Sequence, residues 1–375
     1  MISAKQFLPG LDVLRLLAAL YIVMFHLSFS FSWPTLTRFF SRGPSATELF
    51  FLLSGFLLTH LYGTRTLTES ERWQFLRKRW ARIYPPYLLT GLLALGLGLW
   101  RGVPVGAQLD TLLLYVLMVQ TWVVGESHAL NGPGWSASCL MFFYLIFPVT
   151  VQWLRRMPAR LLVLLAILLW LASSSGAFLL AQLPTVDLPS TWAMYLHNSP
   201  LLRSSGFVIG MIAALVLARR PVRCAPPGFS GINLLVLGAL AFLPPDRLAV
   251  NNGVFEPLIL LLIVAYIQAP EWVCTLAERR LFRRLVNASL CIYLLHMPLL
   301  RLSDLLFGPL TQGWQVVLYL LTVLWTSTLC NEVLCRYVTR PLSRPRPAAA
   351  GHPAAAQGAE VTAMPEPLNV RAGPV

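Results

Sequence analysis

An arginine and a histidine lie eleven positions apart in an apolar run, residues 11–31, that is long enough to cross a bilayer. At 100° and 1.5 Å per residue, eleven residues make three turns plus about 20°, so Arg15 and His26 project from one helix face about 16 Å apart. Because charged groups are costly in hydrocarbon, this face should look onto protein or a wet cavity, where it could bind an anion and move a proton. The alternative is an arginine that snorkels to the headgroups and a histidine that bonds a backbone carbonyl.

Motifs with polar residues recur in the later apolar runs. After LDVLR and His26 come LFFLLSGFLL, RKRWARIYPPY, NGPGWSASCLMFFYLIFP and NASLCIYLLHMP, in that order. These five pieces resemble the membrane-bound acyltransferase-3 family of sugar O-acyltransferases, including its Trp-Ser motif and its Ser-x-x-x-Tyr-Leu-x-His-x-Pro motif. The resemblance covers about residues 7–342. It implies an enzyme with ten membrane spans and no bound cofactor, which transfers an acyl group, expected to be acetyl, from cytoplasmic acyl-CoA to a hydroxyl of a polysaccharide or glycolipid.

Three residues are candidates for the catalytic step of such a transfer, which needs a base and stabilisation of a tetrahedral oxyanion. His26 is the candidate base, because an imidazole titrates near neutral pH. Glu48, near the outer end of the second apolar run, could orient the imidazole, or it could serve only as a favourable charge at a helix N-terminus. Ser54 stands where the resembling family has Ser-Gly-Phe and could donate to the oxyanion, although small residues at transmembrane contacts more often serve packing.

Three arginines are candidates for holding the donor. Arg79 and Arg82 resemble the family's Arg-x-x-Arg pair, and their i, i+3 spacing puts them on one side of a helix start. Guanidinium groups bind phosphate bidentately, so the pair could hold the phosphates of acyl-CoA. The alternative is that these residues only keep their loop in the cytoplasm. Arg15, inside the membrane boundary beneath His26, could hold a phosphate or the pantetheine arm.

Four more residues are candidates for the acceptor or for the path through the protein. Trp135 and Ser136 follow the polar loop 125–134, where the aromatic ring could stack on a sugar or sit in the interfacial belt. Tyr293 and His296 fall near mid-membrane in the last motif and match the family pattern. We assign His296 a secondary role on the pathway rather than the role of the base.

The chain departs from the resembling family at three positions where members of that family commonly carry glutamate. Leu140, Gly206 and Thr339 stand at these positions. The loss at position 140 is compatible with an altered acceptor, a specialised donor or weakened activity, and the sequence does not choose between them.

The composition is that of a polytopic membrane protein: of 375 residues, 57% are apolar and 12% charged. The net charge of +14 is concentrated in short segments between the apolar runs, as in cytoplasmic loops, so nucleic acid is not the expected partner. The six cysteines show no CxxC spacing, so neither a disulfide framework nor a metal site is expected.

Charge patterning sets the predicted topology. Four basic loops are separated by pairs of apolar runs, namely 155–160, 219–223, 279–284 and 336–346. Eleven runs are present, but three of them fall between Arg82 and Arg155, where an even number is needed if both ends are cytoplasmic. We therefore predict about ten transmembrane helices, with the short run 109–123 as a re-entrant or interfacial segment. Both termini and residues 64–82 are then cytoplasmic, and residues 124–135 are external.

The predicted domain organisation is a single membrane domain, residues 1–340, and a tail. The first run is too long for a signal-peptide core, so we expect it to be retained. From residue 341 the chain is rich in Pro, Ala and Gly, which predicts a disordered cytoplasmic tail without a second globular domain. The resemblance implies location in a bacterial inner membrane.

Two other functions fit part of the pattern. A proton-coupled transporter also places histidine and arginine in a membrane path, but the inverted repeats that would favour it are not evident in the sequence. A non-catalytic relative of the acyltransferases is suggested by the missing glutamates. The identity of the acceptor, the length of the acyl chain and the oligomeric state stay open.

Overall fold

A computed structural model of the chain describes residues 8–28, 34–182, 190–219, 226–242 and 253–343. Within these ranges the chain folds into helices joined by short turns, and no strand occurs. The predicted all-α class is therefore confirmed for the described part of the chain.

The helices are listed here in chain order. They are α1 (Pro9–Ser28), α2 (Pro34–Phe40), α3 (Gly43–Tyr62), α4 (Glu69–Trp100), α5 (Val105–Val116), α6 (Gly134–Leu154), α7 (Ala159–Gln182), α8 (Ser190–Asn198), α9 (Pro200–Arg219), α10 (Pro226–Phe242), α11 (Glu256–Ile267), α12 (Glu271–Glu278), α13 (Arg280–Phe307), α14 (Gly313–Leu334) and α15 (Arg340–Ser343). A 3₁₀ turn at Gln120–Trp122 precedes α6, and a π-helical turn at Cys335–Thr339 joins α14 to α15.

Several of these helices are long and apolar enough to cross a bilayer. Within the described ranges they number seven: Pro9–Ser28, Thr37–Tyr62, Glu69–Trp100, Gly134–Leu154, Met194–Arg219, Arg280–Phe307 and Gly313–Leu342. The bent pair α11 and α12 would make an eighth, and two shorter apolar helices cover Ala159–Ser175 and Gly228–Ala239. The polytopic membrane fold is therefore confirmed, whereas the count of ten spans stays a prediction.

The run 109–123, predicted to be re-entrant or interfacial, contains no helix long enough to span a bilayer. α5 has 12 residues and is about 18 Å long, against about 30 Å of hydrocarbon. It packs on α4 through a stacked ring pair, Tyr87 and Tyr115, whose centroids are 4.0 Å apart. Each of these tyrosines donates its hydroxyl to the other's carbonyl oxygen, at 2.8 and 3.0 Å. The segment is thus held against protein, as its polar flanks predicted.

The apolar run 254–270 holds one helix of 12 residues, α11, which ends at Ile267. α12 follows beyond the run and leaves α11 at 82°. Pro270 is the cause, since it lacks an amide hydrogen and disfavours helical geometry in the residue before it.

The basic segment predicted as a loop, residues 65–82, is helical from Glu69 onward. Thr68 and Glu71 form a capping box: Glu71 N donates to Thr68 Oγ1 at 3.3 Å, and Thr68 N donates to Glu71 Oε2 at 2.9 Å. This Thr-x-x-Glu pattern is a readable start signal in the sequence. The consequence is that Arg79 and Arg82 lie on a continuous helix of 32 residues rather than at a helix start.

Helix α1 lies between two apolar cores. On the side of α3 and α11 it contributes Leu11, Leu14, Ala18 and Ile22 to one apolar cluster. Toward α13 and α14 it packs Leu16, Ala19, Val23 and Leu27. Within its apolar window 56% of α1 is buried, while Leu17 is 47% exposed, so one part of the helix faces outward. Arg15 and His26 are both only partly exposed, and most of each side chain lies against protein.

Helices α3 and α9 approach closely at two glycines. A Cβ on Gly55 would overlap the carbonyl oxygen of Phe207, and a Cβ on Gly210 would overlap that of Leu52. Small residues let membrane helices pack backbone to backbone in this way. This contact fixes α3, which carries both Glu48 and Ser54.

Candidate functional site

One cavity of about 240 Å³ brings together residues from five helices, α1, α3, α4, α6 and α13. Six of the sequence-predicted site residues line it: Arg15, Ser54, Arg79, Arg82, Ser136 and Tyr293. The remaining four, His26, Glu48, Trp135 and His296, are not among its lining residues. The cavity therefore joins the predicted donor arginines to the predicted hydroxyl groups in one continuous space.

The cationic end of the cavity is held by local contacts. Arg15 donates to Asp12 Oδ1 at 2.8 Å, three residues away on α1. Arg79 places its guanidinium 5.4 Å from the Phe75 ring centroid and 5.9 Å from that of Tyr62. Cation–π contacts and an i, i+3 ion pair orient these side chains without neutralising the net positive charge. The end can therefore attract an anion.

The hydroxyl end carries a short side-chain hydrogen bond. Ser136 Oγ donates to Tyr293 Oη at 2.8 Å, joining α6 to α13. Ser54 lines the same space from α3. Leu140 also lines it, so the position where the family resemblance led us to expect glutamate contributes an apolar side chain to the cavity wall.

The two imidazoles of His26 and His296 form a contact that the sequence did not predict. His26 Nδ1 lies 3.0 Å from the carbonyl oxygen of Ile22 and 3.1 Å from His296 Nε2. A carbonyl oxygen can only accept, so Nδ1 of His26 carries the hydrogen in this contact, and when the ring is neutral Nε2 keeps the lone pair. His296 lies next to the cavity, with its ring centroid 6.1 Å from that of Tyr293. A neutral His26 with a free Nε2 is the form that a general base needs.

The proposed contact between Glu48 and His26 is absent from the described residues. Glu48 instead forms an ion pair with Arg203 of α9. Both side chains are buried, with exposed fractions of 1% for Arg203 and 4% for Glu48. A buried guanidinium pairs with a nearby carboxylate because an unpaired charge in the protein interior would have a large free-energy cost. The partner that His26 finds is His296, not Glu48.

Arg203 is the centre of a polar cluster that the sequence analysis missed. It donates through Nε to the His197 carbonyl oxygen at 2.5 Å and through Nη2 to the His197 ring nitrogen Nε2 at 2.8 Å. Its guanidinium carbon lies 5.3 Å from the Trp135 ring centroid. An arginine inside the apolar run 200–218 is the signal that could have revealed it, by the argument already applied to Arg15.

Trp135 is consequently buried, with 7% of its surface exposed. One contact is with Arg203, and another ring, Phe51, meets it edge-on at 5.9 Å. Stacking on a sugar, one of the two roles predicted for Trp135, would need a ring face that Arg203 and Phe51 leave free, and it stays a prediction.

The space beside Gly206 is filled by acids from other helices. A Cβ on Gly206 would lie 2.8 Å from Glu48 Oε2 and 3.2 Å from Glu256 Oε1. Glu256 is buried at the start of α11, with 1% of its surface exposed. Carboxylates from α3 and α11 therefore occupy the space beside position 206. Glu256 carries no motif in the sequence, which is why it was not singled out.

The chain around His296 is fixed by bonds from neighbouring segments. Asn131 Nδ2 donates to the Leu294 carbonyl oxygen at 2.9 Å, and Tyr319 Oη donates to that of His296 at 2.6 Å. Arg301 Nη1 donates at 2.8 Å to the carbonyl oxygen of Leu130, whose φ of 53° is uncommon for leucine. The predicted external loop is thus tied to the helix that carries His296.

Comparison with known proteins agrees with this architecture. The model of the acyltransferase-3 family, described as an acyltransferase domain, matches residues 8–332. The chain is similar to the acyltransferase MdmB of Streptomyces mycarofaciens, with 28% identity over 326 residues, 80% of this chain and 81% of MdmB. It is also similar to O-acetyltransferase OatA of Staphylococcus aureus, with 25% identity over 166 residues, 40% of this chain and 26% of OatA.

A third relative is protein 2 in the picA locus of Rhizobium radiobacter, 36% identical over 146 residues, which cover 37% of this chain and 63% of that protein. No solved structure matches the chain. The family match covers far more than half of the sequence and includes every helix that lines the cavity. The chain therefore belongs to the acyltransferase-3 family and is a membrane acyltransferase.

Proposed function

We propose that this acyltransferase takes an acyl group, acetyl in the simplest case, from cytoplasmic acyl-CoA and esterifies a hydroxyl of a sugar-containing acceptor. The observation that carries the proposal is the cavity that runs from Arg15, Arg79 and Arg82 to Ser54 and Tyr293. One end suits phosphate and the other end suits a carbonyl group.

The donor would lie with its phosphates at the arginines and its thioester at the hydroxyl end. Guanidinium groups bind phosphate through parallel hydrogen bonds, and the apolar wall at Leu140 suits the arm and the acyl chain. Tyr293 accepts from Ser136, so its own hydrogen can be donated to the thioester oxygen. Ser54 is the second donor at this end.

The chemical step would use His26 as the base. The acceptor oxygen attacks the thioester carbonyl carbon while His26 Nε2 takes the hydroxyl proton. The tetrahedral oxyanion then collapses, the carbon–sulfur bond breaks, and the leaving thiolate takes the proton back from the imidazolium. His296 Nε2, 3.1 Å from His26 Nδ1, accepts from the imidazolium and so stabilises it. The products are the ester and free CoA thiol.

The polar cluster around Arg203 would have a positioning role in this scheme. It joins α3, α6 and α9 through Glu48, Trp135 and Arg203, behind the residues that line the cavity. The presence of this cluster, together with the His26–His296 contact, favours an active enzyme over a non-catalytic relative. The absence of acidic residues at positions 140 and 206 then reflects a different acceptor or a different hydrogen-bond network around the site.

We place the protein in a bacterial inner membrane with both termini in the cytoplasm. The basic segments between apolar helices support this orientation, and acyl-CoA is available only on that side. The acceptor hydroxyl would approach from the outer side, which the predicted topology assigns to the loop before α6.

The test is to follow the acyl group directly. Membranes that contain the protein receive acetyl-CoA labelled in the acetyl group, and the polysaccharide and glycolipid fractions are separated and counted. We expect label in one of these fractions, released by mild base as an ester requires, and none in membranes without the protein. Label that stays on acetyl-CoA, with every candidate acceptor present, would overturn the proposal.

A further inference from the structure

A second, wider cavity opens beside the first, with a volume of about 870 Å³. It is lined by α4, α13, α14, the π-helical turn and the start of α15. Four arginines face it: Arg82, Arg284, Arg336 and Arg340. Glu332 is the one acidic residue among its lining residues. This groove, here called the basic groove, therefore carries a strong positive charge.

The basic groove and the narrow cavity meet at two shared residues. Arg82 and Leu290 line both of them. The side chains of Arg82 and Leu290 therefore stand between the two spaces, where α4 faces α13. The wide space is polar and cationic, and the narrow space is lined mainly by apolar side chains. A molecule with a bulky anionic head and a thin arm matches this pair of shapes.

The wall of the basic groove contains a rare backbone feature. Residues Cys335–Thr339 form a π-helical turn between α14 and α15. Such turns are rare and are frequently found at functional sites. Here the turn carries Arg336, whose guanidinium carbon lies 5.4 Å from the ring centroid of Tyr337. The pair puts a cation and an exposed aromatic ring together.

The contact between Arg284 and Glu332 leaves the arginine available for an anion. The two groups are 3.4 Å apart, and their side chains are 67% and 51% exposed. An ion pair in this setting contributes little, so a phosphate can replace the carboxylate. Asn287, one turn further along α13, adds a polar side chain to the same wall.

We propose that the basic groove binds the phosphorylated adenine nucleotide of the donor, with the arm entering the narrow cavity past Arg82. This rests on the proposed function, since it assumes a CoA thioester. Arg284 and Arg336 take the 3′-phosphate of the nucleotide, the diphosphate lies at Arg82, which lines both spaces, and Tyr337 offers its ring to the base. The groove thereby sets the preference for a nucleotide-bearing thioester over a simple one.

The test compares two donors that share a thioester and differ in the nucleotide: acetyl-CoA and S-acetylpantetheine. In the double variant Arg284→Gln, Arg336→Gln, we expect the KM for acetyl-CoA to rise about tenfold or more, because charge-assisted phosphate contacts are lost. The KM for S-acetylpantetheine should stay within about twofold of wild type, and kcat should change little with either donor, since the lost binding is uniform.

The matched control is Arg283→Gln, which removes the same charge from the neighbouring exposed position of α13, outside the groove lining. It should leave both KM values unchanged. A double variant that changes KM equally for the two donors, or a control with the same effect, would overturn the inference.

Direct binding separates this inference from the proposed function. Adenosine 3′,5′-bisphosphate should bind the wild-type protein in calorimetry and bind the double variant at least about tenfold more weakly. If acetyl-CoA is not a donor but this nucleotide binds in that pattern, the proposed donor is wrong and the groove assignment stands. If the nucleotide binds both proteins equally, the groove assignment is wrong.

Discussion

His26 and His296 touch through their rings but differ in burial. His296 is fully buried with 0% of its surface exposed, whereas His26 is half-buried. His296 lies on α13, and its backbone carbonyl oxygen accepts a hydrogen bond from Tyr319 of α14. A fully buried ring on a backbone fixed in this way serves as a rigid partner. The more accessible ring is the one that can meet a substrate, which supports His26 as the base and His296 as the residue that positions it.

This difference gives a prediction for His26→Ala. The variant should insert and keep its thermal stability in detergent, because the lost ring is half-buried in an otherwise apolar helix. Turnover per mole of folded protein should fall by about 10² or more, as expected when a general base is removed. The control is His60→Ala on α3, also a half-buried histidine, which should keep turnover within about threefold.

Turnover near the wild-type level in His26→Ala would end the assignment of this residue as the base. A loss of folded protein without a loss of specific activity would make His26 structural. His296→Ala is the complementary measurement, and we expect it to lower stability as well as rate, because it leaves a hole in a packed contact.

The limits of sequence reasoning at the residue scale follow from chain distance. Residues that share a local motif, such as Ser136 in the Trp-Ser motif, were found and do line the cavity. The partner of Glu48 was not, because Arg203 is 155 positions away and only the packing of α3 on α9 brings them together. Position 140 shows the same limit: the sequence shows a lost acid, and only the fold shows that an apolar wall replaces it.

At the scale of elements, the contact of α3 with α9 determines where the site residues stand. Gly55→Ala should lower the midpoint of thermal unfolding in detergent, since the added methyl group would overlap the backbone carbonyl of Phe207. Overpacking of this kind costs about 1–3 kcal/mol, and a backbone atom cannot move aside as a side chain can. The midpoint is measured by a thermal-shift assay on purified protein.

Gly96→Ala on α4 is the matched control, because a Cβ there meets nothing within 4 Å. It should leave the unfolding midpoint unchanged or raise it slightly, since alanine favours helix more than glycine does. Equal midpoints for the Gly55 and Gly96 variants would show that α3 and α9 are not in close contact.

Helix type and order could be predicted because long apolar runs and capping signals are local. The positions of helix ends were harder to predict from the sequence. The start of α4 at Glu69 could be predicted only by recognising the Thr68 capping box, and the 82° break after α11 only by giving Pro270 more weight than the hydropathy of its neighbours. In both cases a single residue determined the helix boundary, whereas hydropathy averaged over a window of residues did not show it.

At the scale of the whole molecule, hydropathy alone does not fix how many times the chain crosses the bilayer. α5 and α11 each have 12 residues, so length excludes a full crossing by either helix alone. The distribution of charge predicts the orientation of the helices, which their length does not, because arginine-rich helix ends favour the cytoplasmic side. The orientation of the cavity, and with it the side on which the donor enters, depends on this assignment.

The whole-molecule prediction is that residues 64–82 face the cytoplasm and residues 124–135, with the segment just before them, face outward. The structure guides the choice of reporter positions: Thr68 caps α4 and Ser127 is buried, so exposed neighbours are better.

Val123→Cys, at a side chain 39% exposed, should react with an impermeant maleimide on intact spheroplasts. Ser70→Cys, in the first turn of α4, should react only after permeabilisation. The wild-type chain with its six cysteines gives the baseline. Labelling of Ser70→Cys without permeabilisation would show that the orientation is the reverse of the predicted one. The arginine end of the cavity would then face outward, away from the cytoplasmic acyl-CoA whose phosphates it is proposed to bind.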